Sequence, residues 1–91
     1  MNTATEADDT NPDLKEKAAR AVLDWKTGIE KILLRGIQTG EFRDGLDLQR
    51  ISLSIIALLE GAVLIVKVTG KTDYKTSILQ TIELIILQLK S

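Results

Sequence analysis

Residues 47–69, DLQRISLSIIALLEGAVLIVKVT, repeat apolar positions with a helical period and leave almost no polar side. At 3.6 residues per turn, Leu48, Ile51, Ile55, Leu58, Leu59, Ala62 and Val66 share one face. Leu53, Ala57, Leu64 and Val68 fall nearly opposite, with Ser54 and Gly61 at the edge of that second face. Only Gln49, Glu60 and Lys67 make a clearly polar strip. A helix of this kind needs cover on nearly all sides. Two further helices of a small chain can cover one face; the second face calls for another chain.

Upstream, the spacing predicts a helix that starts at Pro12 with Asn11 as its cap, since Pro suits the first helical position. Asp13→Lys17 and Glu16→Arg20 are favourable i,i+4 pairs, and Asp13 and Glu16 sit near the positive end of the helix dipole. Leu14, Ala18, Val22, Trp25, Ile29, Ile32 and Leu33 form the stripe expected to be buried, with Gly36 on the same stripe as a close-packing point. Gly40 is the expected stop, so the helix would run about 42 Å, with a bend expected near Gly28. Phe42, in the connection 40–45, is expected to plug the core from the loop.

The central helix takes Asp47 as its N-cap, with Leu46 and Ile51 spaced as a hydrophobic staple, and ends at Gly70. Thr72 or Asp73 is the expected cap of the last helix, whose main stripe is Tyr74, Ile78, Ile82, Ile85, Ile86 and Leu89. A second stripe there, Ser77, Thr81, Leu84 and Gln88, is small and uncharged, which suits packing better than open solvent. No segment alternates with period two for long enough to make a strand. The fold expected is all-α: a three-helix antiparallel array that dimerises through its last two helices into a four-helix bundle. The interface predicted is Leu53, Ser54, Ala57, Gly61, Leu64 and Val68 of the central helix with Ser77, Thr81, Leu84 and Gln88 of the last. In a two-fold interface the same residues meet on both sides.

The bulk numbers narrow the function. Ninety-one residues make one domain, in which residues 12–91 carry the helices and the polar, acidic residues 1–11 read as a disordered lead-in or linker remnant. A domain this small buries only roughly 60–65% of its unfolded surface, so a lone monomer is marginal. Net charge is −1, from 12 basic and 13 acidic residues, which argues against this segment gripping nucleic acid. The absence of His and Cys removes the commonest base, metal ligand and thiolate, and leans the location to the cytoplasm. No secretory signal opens the chain. Residues 51–68 are interrupted by Ser52, Ser54, Glu60 and Lys67, which argues against a membrane span of roughly 20 apolar residues. The GxxxG from Gly36 to Gly40 lies among polar residues at a helix end and is not a membrane-pairing motif. No catalytic constellation, metal spacing or cofactor loop can be assembled, so no enzyme and no cofactor is expected. Glu60 reads better as part of the solvated strip than as a ligand contact. Trp25, Ile29, Leu58 and Tyr74 are the candidates for lining a small hydrophobic pocket, although Trp at helical spacing is more often core.

Gly36-x-x-x-Gly40-Glu41-Phe42-Arg43, then Asp47 at a helix start, then Leu58-Leu59-Glu60-Gly61-Ala62, resembles the C-terminal domain of TetR-type transcriptional regulators, and Trp25 fits the same pattern. The resemblance covers about Leu14 to Leu89. It implies a homodimer whose last two helices pair with the same two of a partner, and a small-molecule effector pocket in this domain. It also implies DNA binding by a separate, basic N-terminal helix-turn-helix domain. That domain is absent from this sequence, as are helices that usually close part of the pocket. The alternative is a stand-alone helical dimer that scaffolds or sequesters other proteins.

Overall fold

The computed structural model describes residues 11–91; residues 1–10 of the lead-in expected over 1–11 lie outside them. Among the described residues the regular elements are α1 (Pro12–Gln38), α2 (Leu48–Thr69) and α3 (Thr72–Leu89). Their ends follow from local chemistry. Asn11 accepts a hydrogen bond from the Leu14 N–H at 3.0 Å, and Pro12 follows it. Asp47 accepts one from the Arg50 N–H at 3.1 Å and opens α2. Gly70, at φ 71°, closes α2 in the left-handed conformation that disfavours any Cβ. Asp47→Ala should therefore lower stability by about 1 kcal/mol in a urea titration, with the slope of the transition unchanged.

The cap expected at Thr72 or Asp73 falls instead on Lys71, whose side chain makes no capping bond. The turn after Gly70 is so short that α3 is already helical at Thr72. The Thr69 hydroxyl substitutes in part, accepting from the Lys71 N–H at 3.2 Å. On α1, Glu16 and Arg20 pair at 2.9 Å and Lys26 and Glu30 at 3.2 Å. Asp13 and Lys17 form no ion pair among the described residues.

α1 and α3 both pack against α2 and, among the described residues, not against each other. The result is a layer with extents of 46 × 31 × 14 Å, one helix thick. Its core is concentrated towards the α1–α2 connection: Leu33 and Gly36 from α1, Ser52, Ile55, Ile56 and Ala62 from α2, and Ile82 and Leu89 from α3. This corrects the expectation for α1. Residues 11–25 are all exposed, Leu14, Val22 and Trp25 of the stripe among them, because only the C-terminal half of α1 lies on α2; Ile32, within that half, is open as well. Tyr74 and Ile86 of the α3 stripe are likewise exposed, since α3 is covered along one side alone. Ser52, which looked like a polar interruption, is the most buried residue at 0% exposure. Its hydroxyl donates to the Gln49 carbonyl at 3.1 Å, so the group is satisfied within its own helix.

The α1–α2 connection is braced from the far end of the chain. Phe42 donates its N–H to the Gly36 carbonyl at 3.0 Å, and its half-buried ring lies where a Gly36 side chain would be. Phe42 and Lys90 form an isolated antiparallel bridge, with Arg43 N–H to Leu89 carbonyl at 2.9 Å and Ser91 N–H to Glu41 carbonyl at 3.1 Å. The Ser91 hydroxyl adds a bond to the Gly40 carbonyl at 2.7 Å. By length and composition α2 could cross a membrane, but a core helix of a helical assembly has the same character, and α1 and α3 flank it here.

Candidate functional site

Where α1 leaves the packed part of the layer, a cleft of about 480 Å³ opens between all three helices. Helical spacing builds its walls. Trp25, Ile29 and Ile32 come from successive turns of α1, Leu59, Glu60 and Val63 from α2, and Lys75 and Leu79 from α3. The buried Ile56 and Ala62 also contribute to the lining. Gly28 lines the α1 side, with nothing within 4 Å of where its Cβ would stand. Asp24, Glu60 and Lys75 are the charged groups of the lining, and among the described residues none of them forms an ion pair. Apolar walls with a few polar groups suit reversible binding of a small organic molecule.

Two of the four residues expected at a pocket, Trp25 and Ile29, line this cleft together. Leu58 is half-buried elsewhere on α2, and Tyr74 is exposed at the start of α3 with the Lys71 ammonium 5.9 Å from its ring centroid; neither lines the cleft. Ile32 and Leu59, expected on the buried stripes, and Glu60, expected on the solvated strip, line the cleft as well. Glu60 is also exposed. Leu59 and Val63, and Lys75 and Leu79, are i,i+4 neighbours that line the cleft in pairs, but spacing alone does not say which face of a helix borders it.

The residues expected at a dimer interface are open in the single chain. Leu53, Leu64, Val68 and Leu84 are 41%, 60%, 75% and 59% exposed. Ser54, Ala57, Ser77, Thr81 and Gln88 are exposed too, and Gly61 is half-buried. The hydroxyls in this set turn back on their own helices: Ser54 donates to the Arg50 carbonyl at 2.8 Å, and Ser77 and Thr81 to the Asp73 and Ser77 carbonyls at 3.4 Å. With their donors used internally, these side chains can meet an apolar surface at little desolvation cost.

The sequence matches the family described as tetracyclin repressor-like, C-terminal domain, over residues 1–82. The fold is similar to the crystal structure of a TetR-family transcriptional regulator from Cytophaga hutchinsonii, with a TM-score of 0.90 and 40% sequence identity. That similarity covers 97% of this chain and 44% of the regulator, so the chain spans less than half its length. No curated protein matches the sequence.

Proposed function

The chain belongs to the tetracyclin repressor-like C-terminal domain family, and we propose that it pairs with a second copy through α2 and α3 and senses a small apolar effector in the cleft between its three helices. It is a TetR-type regulator's C-terminal domain, and that family points to regulation rather than catalysis. The observation that carries the reading is the double use of α2. One side of it lines a 480 Å³ cleft, while another holds a row of uncovered aliphatic side chains. A single helix shared by a ligand site and a pairing surface lets occupancy of one bias the other. In this reading DNA contact falls to a separate N-terminal domain in a cytoplasmic regulator, consistent with the net charge of −1 on this chain.

Screening small apolar compounds against the chain by thermal unfolding tests the effector reading. A compound at about ten times its Kd adds about 1.4 kcal/mol by linkage, which raises the Tm of a domain this size by roughly 5–10 °C. Gly28→Leu is the check, because its side chain enters open space on the cleft wall. The shift should vanish in that variant. Compounds that stabilise Gly28→Leu as much as the parent bind elsewhere, and the cleft assignment then fails.

A further inference from the structure

Resting on the effector reading of the cleft, we infer that its ligand is an apolar organic cation, an aryl or alkyl ammonium, rather than a neutral molecule or an anion. Three features of the cleft converge on that chemistry. Its walls are aliphatic, supplied by Ile29, Ile32, Leu59, Val63 and Leu79, so the body of the ligand is apolar. Its one aromatic group is Trp25, half-exposed at 49%, and an indole face attracts an ammonium more strongly than any other side-chain ring does. Its charged groups are two carboxylates, Asp24 and Glu60, against one ammonium, Lys75.

The placement of the carboxylates strengthens the inference. Asp24 is next to Trp25 on α1, so the anion and the indole belong to one wall. Glu60 stands among Leu59, Ala62 and Val63 on the central helix, on the wall facing α1. A cation between these walls meets negative charge from two helices, and its apolar body meets the aliphatic side chains. An anion would have Lys75 alone and would be repelled by both carboxylates. Among the described residues Lys75 neutralises neither of them through an ion pair. A neutral ligand would leave three charged groups partly desolvated with nothing gained in return.

Trp25 is the only tryptophan, so its fluorescence reports the cleft directly. The probes are benzyltrimethylammonium, its neutral carbon isostere neopentylbenzene, and phenylacetate, each titrated into the 91-residue chain. Benzyltrimethylammonium should quench Trp25 saturably and bind roughly fivefold more tightly than neopentylbenzene, with the advantage shrinking as salt is raised. Asp24→Asn and Glu60→Gln should each weaken the cation roughly two- to fivefold and leave neopentylbenzene unchanged, while Lys75→Gln should tighten the cation. All three substitutions are at exposed positions, so the fold should survive them. Equal affinity for the cation and neopentylbenzene overturns the charge inference while the effector cleft stands. So does tighter binding of phenylacetate that is lost in Lys75→Gln. If none of the three perturbs Trp25, the cation inference fails and the effector reading fails with it.

Discussion

Leu64→Glu should convert a dimer of this chain into monomers or unfolded protein. Leu53, Leu64, Val68 and Leu84 together leave about half or more of their side-chain surface in water. Full burial of one such side chain contributes roughly 1.5–3 kcal/mol. Counting only the exposed part, and both copies, pairing gains roughly 7–14 kcal/mol, against an association cost of about 4–15 kcal/mol. The two are similar in size, so the assembly has little margin. Leu64→Glu removes one aliphatic group from each copy and places two carboxylates in a dry contact, where an unpaired charge is far more costly than the methyl groups it replaces. Light scattering after size exclusion reads the outcome as a fall from twice 10.0 kDa to 10.0 kDa. Gly61→Leu separates assembly from folding, since nothing in the same chain lies within 4 Å of a Cβ there. Any effect of that substitution on mass comes from the partner. Lys31→Glu, exposed on α1, should leave the mass alone. A Leu64→Glu protein that stays dimeric would remove this interface from consideration.

Gly36→Ala should destabilise the chain by about 2 kcal/mol or more, although a helix interior ordinarily prefers Ala to Gly by about 1 kcal/mol. The sign reverses because an added Cβ overlaps the Cδ2 and Cε2 edge of the Phe42 ring and crowds its Cγ. The Phe42 main chain cannot back away, being tied to the Gly36 carbonyl and to the bridge with Lys90, so the ring has to leave its rotamer to make room. Gly28→Ala, on the same helix but facing open space, should instead stabilise by about 0.5–1 kcal/mol. For a domain of this size each kcal/mol moves Tm by roughly 4–8 °C, so calorimetry should separate the two variants by about 10 °C or more. Pairing Gly36→Ala with Phe42→Ala should recover much of the loss. A Gly36→Ala protein as stable as Gly28→Ala would mean that the ring yields freely.

What was legible in the sequence was the local chemistry. Asn11 and Pro12, Asp47, and Gly70 set helix ends through bonds or backbone preferences that span a few residues. Gly36 on the α1 stripe and Phe42 in the loop were readable for the same reason, and the structure puts one against the other. What periodicity does not carry is how far one helix overlaps another. The stripe Leu14, Ala18, Val22, Trp25 has the spacing of a buried face and is exposed throughout, because this half of α1 is not packed on α2. Ser52 shows the converse: a polar residue becomes the best-buried one, since small size suits a close helix contact and its hydroxyl is satisfied locally. The bracing by Ser91 joins residues 51 positions apart and has no local signature at all. For the cleft, Trp25 and Ile29 were readable as large apolar groups. Lys75 and Leu79 were not, because their place depends on how α3 is rotated about its axis against α2.

The overhang of α1 gives the domain a mechanical property. Leu33 is anchored in the core, and Pro12 lies 21 residues before it on the same helix, about 31 Å away. Trp25 and Ile29, on the cleft wall, lie about 6–12 Å from that anchor. The helix is thus a lever with its load arm roughly three times as long as the arm that a ligand in the cleft would press on. A tilt of about 5° about Leu33 shifts the cleft wall by about 1 Å or less and the helix start by nearly 3 Å, roughly. Displacements too small to disturb the packed end of the layer are magnified at the end of the domain that faces away from it.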